Sequence, residues 1–297
     1  MRKIVAKEET NLFDLLTGAG YSRTKVKQLL KHRAIAVGAL TMTRHDHRLL
    51  PGDEVLIRSP REAIVEARHC PGLEIVYEDN EILVIDKPAG LLTIATARER
   101  TKTAYYMLND YLAGQPGAAT ERIFIVHRLD RDTSGLLVFA KNEIAKRVLQ
   151  ENWSKVDKKY SAVVEGVPAA MSGQVAGHLR ESKALRVHTV KGGQEGDQYA
   201  VTGYTVLQSG NGYSLLDIDL VTGRKNQIRV HMADLGHPVA GDRKYGAKTD
   251  PLGRLALHGS YLAFAHPVTG KRMEFTRQQP DGFLRLFSKN KTVREKR

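Results

Sequence analysis

The sequence predicts an α+β protein in two parts: a small α/β unit over residues 1–60, and a larger unit over 73–287 built on a mixed, largely antiparallel sheet. Three observations carry that prediction. Helical spacing is confined to a few short segments. Extended apolar runs recur between residues 73 and 220. A stretch with Pro60, Pro71, Gly72, mixed charge and no sustained period separates the two patterns and reads as a linker over 61–72.

In the first unit Leu12, Phe13, Leu15 and Leu16 form a short apolar helical face that Gly18-Ala19-Gly20 ends. Ser22 is placed to cap a second helix running to about Arg33. Val26, Leu29 and Leu30 repeat at helical spacing there, leaving Arg23, Lys25, Lys27, Lys31 and Arg33 for the opposite side. That basic side reads either as an RNA-binding surface or as an ordinary solvated face. Short strands are expected at 35–37 and, after Pro51-Gly52-Asp53, at 54–57.

In the larger unit, residues 73–77 and 82–85 flank Glu78-Asp79-Asn80-Glu81 as a hairpin, and residues 103–112 and 144–153 have helical spacing. Further strands are expected at 123–129, 136–139, 159–165, 185–190, 199–207 and 213–220. Residues 288–297 are basic and nearly free of apolar side chains, so they are expected to form a mobile tail.

Lys and Arg number 46 against 33 Asp and Glu, a formal net charge of +13 that favours a polyanionic partner, nucleic acid before an anionic membrane surface. No apolar run approaches the roughly 20 residues that span a bilayer, and the first residues lack a signal-peptide core. A cytoplasmic protein is expected. The single cysteine, Cys70, excludes an intrachain disulfide and a Cys-cluster zinc site; with neither an H-E-x-x-H pattern nor an acidic calcium loop, no metal is expected.

Chemistry concentrates in three places. The first is His127-Arg128-Leu129-Asp130-Arg131-Asp132-Thr133-Ser134-Gly135, a charged loop between the apolar runs 123–126 and 136–140. Apolar flanks limit hydration of Asp130 while Arg128 and Arg131 supply positive charge, which can keep a carboxylate ionised and usable as a nucleophile. The same residues also read as a structural Asp130–Arg128 ion pair, with Thr133 and Ser134 making turn hydrogen bonds. The second is Lys158-Lys159-Tyr160, where a tyrosine can stack on a base and still offer its hydroxyl, or simply pack within a strand. The third is 222–232, where Ile228, Met232 and Leu235 repeat at helical spacing and set Arg229 near a helix N-terminus. Arg229 is then a partner for a carboxylate from another strand or a surface helix arginine. His231 reads as a structural histidine rather than a ligand.

These residues support two resemblances. The run Ser22-Arg23-Thr24-Lys25 through Lys31-His32-Arg33, then Ile35-Ala36-Val37-Gly38 and Pro51-Gly52-Asp53-Glu54-Val55, resembles the S4 RNA-binding domain, with Gly38-Ala39 where many such domains have Asn-Gly. The nine-residue run around Asp130, with Ala140-Lys141, closely resembles the signature of RluA-type pseudouridine synthases. So do Ile75-Val76-Tyr77-Glu78-Asp79, Val84-Ile85-Asp86-Lys87-Pro88-Ala89-Gly90-Leu91, Lys159-Tyr160, Gly223-Arg224 to His231, His237-Pro238-Val239 to Gly241-Asp242, and Leu257-His258 to His266-Pro267, in the family's order over residues 73–280.

That resemblance implies a pseudouridine synthase domain that turns uridine into pseudouridine. Asp130 corresponds to the aspartate that starts cleavage of the N-glycosidic bond, by attack at C1′ or by assisting loss of the 2′ proton. Tyr160 would stack on the flipped uracil and help move the C5 proton, and Arg229 would pair with Asp130. Arg128 is similar to the arginine that fills the space left by the extruded nucleotide. Arg131, Thr133, Gly223, Arg224 and Gln227 are the further substrate-binding candidates. No cofactor is implied.

One departure touches substrate contacts: Lys225-Asn226 stands where many members have Thr-His. The S4-like unit points to 23S ribosomal RNA or an assembling large ribosomal subunit as partner, and a monomer is expected. Transfer RNA, a non-catalytic RNA-binding or ribosome-assembly protein, and a uracil-releasing hydrolase are the competing readings.

Overall fold

The computed structural model describes residues 2–31, 34–37, 40–42, 45–57, 70, 72–114 and 122–288. It divides into two compact units: residues 1–71 with 107–122, and residues 72–106 with 123–297. Most of the expected linker, the Gly38-Ala39 turn, Arg33 and residues 289–297 of the basic tail lie outside the described residues, as does the side chain of Lys31.

In the first unit the described elements run β1 (Arg2–Val5), β2 (Thr10–Asn11), α1 (Leu12–Gly18), α2 (Arg23–Lys31), β3 (Ile35–Val37), β4 (Leu40–Thr41), β5 (Arg48–Leu49) and β6 (Glu54–Ile57). Asn11 caps α1 by accepting from the Asp14 amide at 2.9 Å. The Ser22 hydroxyl accepts from the Lys25 amide at 3.1 Å, as the sequence predicts for α2. Leu12, Leu16, Val26, Leu29, Leu30 and Ile35 pack into one core with Leu49 and Val55, over strands in the order β1-β6-β3-β4. Arg23, Lys25 and Lys27 are exposed on the other side of α2.

The second unit begins with β7 (Glu74–Glu78) and β8 (Ile82–Lys87), the expected hairpin, turned by Asp79 Oδ1 accepting from the amides of Glu81 and Ile82. Helix α3 (Ala104–Ala113) starts in this unit and ends in the first. Then follow β9 (Phe124–Ile125), β10 (Ser134–Ala140), α4 (Glu143–Glu151), β11 (Asp157–Glu165), β12 (Ser172–Glu181), β13 (Val187–Val190), β14 (Gln198–Gly210), β15 (Tyr213–Leu220), α5 (Gln227–Asp234), β16 (Leu257–Ala265), β17 (Arg272–Thr276) and α6 (Asp281–Arg285). They form a mixed, mainly antiparallel sheet in the order β13-β12-β14-β15-β11-β16-β10-β8-β7, with β17 beside β16 and β9 beside β10. Residues of β11, β15 and β14 share a core with Ile228 and Met232 of α5, so the amphipathic spacing read from 228–235 packs that helix on the sheet.

The expected strand at 123–129 is corrected to two residues. Beyond Ile125 the chain leaves the sheet, because Leu129 is bonded to a side chain instead of a strand: its carbonyl accepts from the Thr93 hydroxyl at 2.8 Å, and its amide donates back to that oxygen at 3.3 Å. The rest of that run is the first half of the Asp130 loop.

Where that loop re-enters the sheet, Gly135 has φ +118°, and a Cβ there would lie 2.3 Å from the Gly259 carbonyl oxygen. Here β10 meets β16 in parallel, with Gly135 opposite Gly259. The two backbones touch at this point, so the position demands glycine. Among the described residues no helix is long and apolar enough to cross a membrane.

Candidate active site

Asp130 sits in the loop before β10, held from both sides. Thr93 fixes Leu129, as above. On the other side the fully buried Lys87 donates its three ammonium hydrogens to the carbonyls of Pro88 (2.9 Å), Leu91 (2.8 Å) and Arg131 (3.1 Å). Burial lowers its pKa to about 8, against the raising charges of Asp132 and Asp130. At neutral pH the ammonium still ties the loop to the Pro88–Leu91 turn. Before Asp130, His127 stacks on Trp153 with centroids 4.4 Å apart and accepts the Val138 amide at 3.1 Å.

His127 is kept neutral by burial and then by the Lys158 charge, its pKa pushed down to about 3. Under the other end of the loop, Ser134 Oγ lies 2.9 Å from His258 Nδ1 and accepts from Arg254 Nη2 at 2.7 Å. Burial, then the charges of Arg254 and Arg277, push the pKa of His258 down to about 4. Both histidines have lowered folded-state values, so their stability contribution is complete above their unfolded value near 6.5 and is lost as pH falls toward 4 and 3. Each proton taken up only on unfolding costs about 1.4 kcal/mol per pH unit. Urea midpoints followed through Trp153 fluorescence are expected to fall between pH 6.5 and 4, and less steeply in His258→Gln. An unchanged slope in that variant would sink the assignment of this acid sensitivity to His258.

Of the two arginines read as partners of Asp130, Arg229 is the one bonded to it, as the resemblance implies, and the alternative Asp130–Arg128 pair does not form. Asp130 Oδ2 accepts from Arg229 Nη1 at 3.2 Å, across 99 residues of sequence. The Arg229 guanidinium is gripped from behind by Asp242, which accepts from Nε at 2.6 Å and Nη2 at 2.8 Å, while Asn226 Oδ1 accepts from Nη1 at 3.1 Å. The Tyr245 ring lies 5.0 Å from the guanidinium carbon. Burial disfavours the Arg229 charge, but the bonds and charges of Asp242 and Asp130 outweigh it and raise the pKa above its usual value. The Asp242 carboxylate is 1% exposed and that of Asp130 29%, so Asp130 is the one a substrate can reach.

Tyr160 enters from β11 where the register against β16 shifts between Lys159 and Tyr160, a bulge of the kind that re-aims side chains. Its ring lies against Gly259, where a Cβ would stand at ordinary packing distance, 3.5 Å. Burial and then the Asp130 charge raise the phenol pKa, holding it protonated at neutral pH.

Asp130, Tyr160, Arg229, Arg128, Thr133, Gly223, Arg224 and Gln227 all line one cavity of about 280 Å³, with Lys225 and Asn226 on the same wall. Arg128 is exposed and Thr133 buried. Arg131 does not line this cavity; its guanidinium forks onto Asp132 at 2.9 and 3.1 Å in solvent.

Gln227 is engaged at both ends. Its oxygen takes the Thr222 hydroxyl and the Arg224 amide, and its nitrogen gives to the Val201 carbonyl and the Thr202 hydroxyl. It shapes the cavity and has no free group to offer. Of the two departing residues, Lys225 pairs with Glu181, and Asn226 joins Arg229 to the Tyr245 hydroxyl. His231 is buried with Nδ1 2.9 Å from Thr202 Oγ1, a structural setting. Among the described residues no group of His, Cys, Asp and Glu is arranged to hold a metal ion.

Asp242, Tyr245 and Thr93 were given no role by the sequence. Asp242 stands in a Gly-Asp-Arg turn, where an aspartate is ordinary, and caps the 3-10 turn Arg243–Tyr245. Only the fold reveals that its second face holds Arg229.

A family model described as RNA pseudouridylate synthase matches residues 81–234, a range containing Asp130, Tyr160 and Arg229. The chain is 35% identical to an uncharacterised RNA pseudouridine synthase of Bacillus subtilis, the match covering 94% of this chain and 93% of that protein. It is 32% identical to the ribosomal large subunit pseudouridine synthase D of Haemophilus influenzae, covering 90% and 86%. The solved structure of human RNA pseudouridylate synthase domain containing 4 is similar with a TM-score of 0.59 at 25% identity, over 76% of this chain and 93% of that one.

Proposed function

This chain belongs to the RNA pseudouridylate synthase family, and from that premise we propose that it isomerises specific uridines of large-subunit (23S) ribosomal RNA to pseudouridine. The substrate class rests on relatives named for the large ribosomal subunit that match along 90% of this chain. The observation that carries the site is the reachable Asp130 carboxylate held by Arg229 in a cavity that also presents Tyr160. At about 280 Å³ that cavity is at the small end of ligand sites, a size suited to a single flipped nucleoside.

Asp130 starts cleavage of the bond between N1 and C1′, by attack at C1′ or by assisting loss of the 2′ proton. The freed uracil turns to offer C5, and the C5–C1′ bond forms as the Asp130–C1′ bond breaks on the first route or as the 2′ proton returns on the second; the C5 proton leaves and N1 gains one, so the product is an isomer of uridine. Tyr160 stacks on the base. Because its phenol is held protonated, it takes up the C5 proton only while giving its own away, which makes it a relay. Arg128, exposed beside the cavity, occupies the place of the extruded nucleotide. The isomerisation has no redox step and needs no external nucleophile, so no cofactor enters the proposal.

The first unit is proposed as an S4-like RNA-binding domain and the protein as a cytoplasmic monomer. Reversing Arg23, Lys25 and Lys27 to Glu is expected to weaken RNA binding and to flatten the dependence of log K on log salt by about 0.7–0.9 for each phosphate that is no longer neutralised. A slope equal to the wild type's would make that face a solvated surface only.

The deciding experiment is site-resolved pseudouridine mapping of ribosomal and transfer RNA from cells with and without the gene, complemented by wild type or Asp130→Ala. Defined 23S uridines losing signal, restored by wild type alone, is the expected result. A site lost only from transfer RNA would overturn the substrate.

A further inference from the structure

Asn226 is the only non-glycine residue lining the cavity in left-handed backbone, at φ 53° and ψ 15°. It occupies the cap position of α5 yet makes no side-chain bond to the helix amides, the usual service of an asparagine there. Its amide is turned the other way. Nδ2 donates to the Tyr245 hydroxyl at 3.0 Å, and Oδ1 accepts from Arg229 Nη1 at 3.1 Å, with the residue 9% exposed. The Tyr245 oxygen also accepts the Val187 amide at 3.3 Å, so it is anchored independently of Asn226. A flipped amide would set its NH2 against the guanidinium NH2, donor against donor, so the observed orientation is enforced.

The geometry matters because of where Asp242 grips. It binds Nε and Nη2, the far side of the guanidinium from Asp130. A small rocking about that grip moves Nη1 most, and Nη1 is the nitrogen that meets Asp130. Asn226 is the second restraint on that nitrogen.

We propose that Asn226, backed by Tyr245, is a positioning residue for the isomerisation: its side-chain carbonyl holds Arg229 Nη1 at the point where the guanidinium meets Asp130. This rests on the assignment of Asp130 above. The left-handed backbone is what lets one short side chain face both partners, and asparagine tolerates it better than other residues with a side chain.

Asn226→Gly separates the amide from the backbone, since glycine keeps the left-handed conformation without strain. On a 23S fragment carrying the mapped uridine, kcat is expected to fall about tenfold, with KM and the thermal midpoint near wild type. Tyr245→Phe is expected to lower kcat less, and Asn226→Gly/Tyr245→Phe to lose no more than Asn226→Gly alone, because both changes remove one restraint. A wild-type kcat in Asn226→Gly, a loss carried by KM or by stability, or additive losses in the pair would each overturn the proposal. A wild-type enzyme that forms no pseudouridine in any RNA would overturn the functional reading and this inference with it.

Discussion

Asp130→Asn is expected to make no measurable pseudouridine, a loss of more than roughly 10⁴-fold of the kind seen when a nucleophile is removed, while RNA binding is retained. The asparagine fills the same space and can still accept from Arg229 Nη1, so the cavity keeps its shape. It lacks the negative charge that attack at C1′ or assistance to 2′-proton loss requires. Arg229 does not become an unpaired buried cation, because Asp242 still binds it through Nε and Nη2. The variant therefore folds, and single-turnover assays beside filter binding read chemistry and affinity separately. A normal rate of isomerisation in Asp130→Asn would sink the assignment; a loss that tracks weakened RNA binding would make Asp130 a binding residue.

Asp242→Ala is expected to cost more stability than Asp130→Asn and to lose activity as well. Its carboxylate is 1% exposed and carries two short bonds to a guanidinium that is itself 13% exposed. Removing it leaves the buried Arg229 charge only one carboxylate contact, the single 3.2 Å bond to the partly exposed Asp130, so the cost is expected to approach the roughly 3–5 kcal/mol of breaking a buried pair. Arg229 then loses its fixed plane, and a displacement of about 1 Å at a catalytic group is worth about 100-fold in rate. Asp157→Ala provides the contrast: its pair with Arg272 is about half exposed on both sides, so at most about 1 kcal/mol is expected there. Chemical denaturation of the two variants tests both figures. Equal costs would mean that the Asp242 pair is no better built than a surface one.

Much of this was legible in the sequence because it is local. The helix spacing of Val26, Leu29 and Leu30, the Ser22 cap, the hairpin about Asp79 and the apolar run into β10 each depend on near neighbours, and each formed where expected. Strand β12 escaped because most of its residues are exposed or half-exposed, with Leu179 its one buried side chain, so no alternation stands out. Strand β16 escaped for a different reason. Gly259 and Ser260 interrupt its apolar run at the place where it must touch Gly135.

The site divides in the same way. Asp130, Tyr160 and Arg229 were identifiable as a resembled pattern. What holds them was not: Lys87 reaches Arg131 across 44 residues and Thr93 reaches Leu129 across 36, while Asp242 and Tyr245 reach Arg229 and Asn226 across 13 and 19, and no local pattern marks any of these pairings. Arg131 shows the converse. Its neighbour Asp132 claims it, a local pairing that outcompetes the cavity.

The parallel meeting of β10 with β16 has a consequence for the order in which the molecule becomes an enzyme. It joins positions 124 apart, and such closure comes late because chain entropy is lost before the pairing repays it. Hairpins such as β7–β8 and β14–β15 need no such closure. A ribosome that has made every residue of the cavity up to Arg229 has still not made the strand on which the Asp130 loop closes. The growing chain thus carries its catalytic groups for some time without the means to hold them, until the strand Leu257–Ala265 has been made and paired.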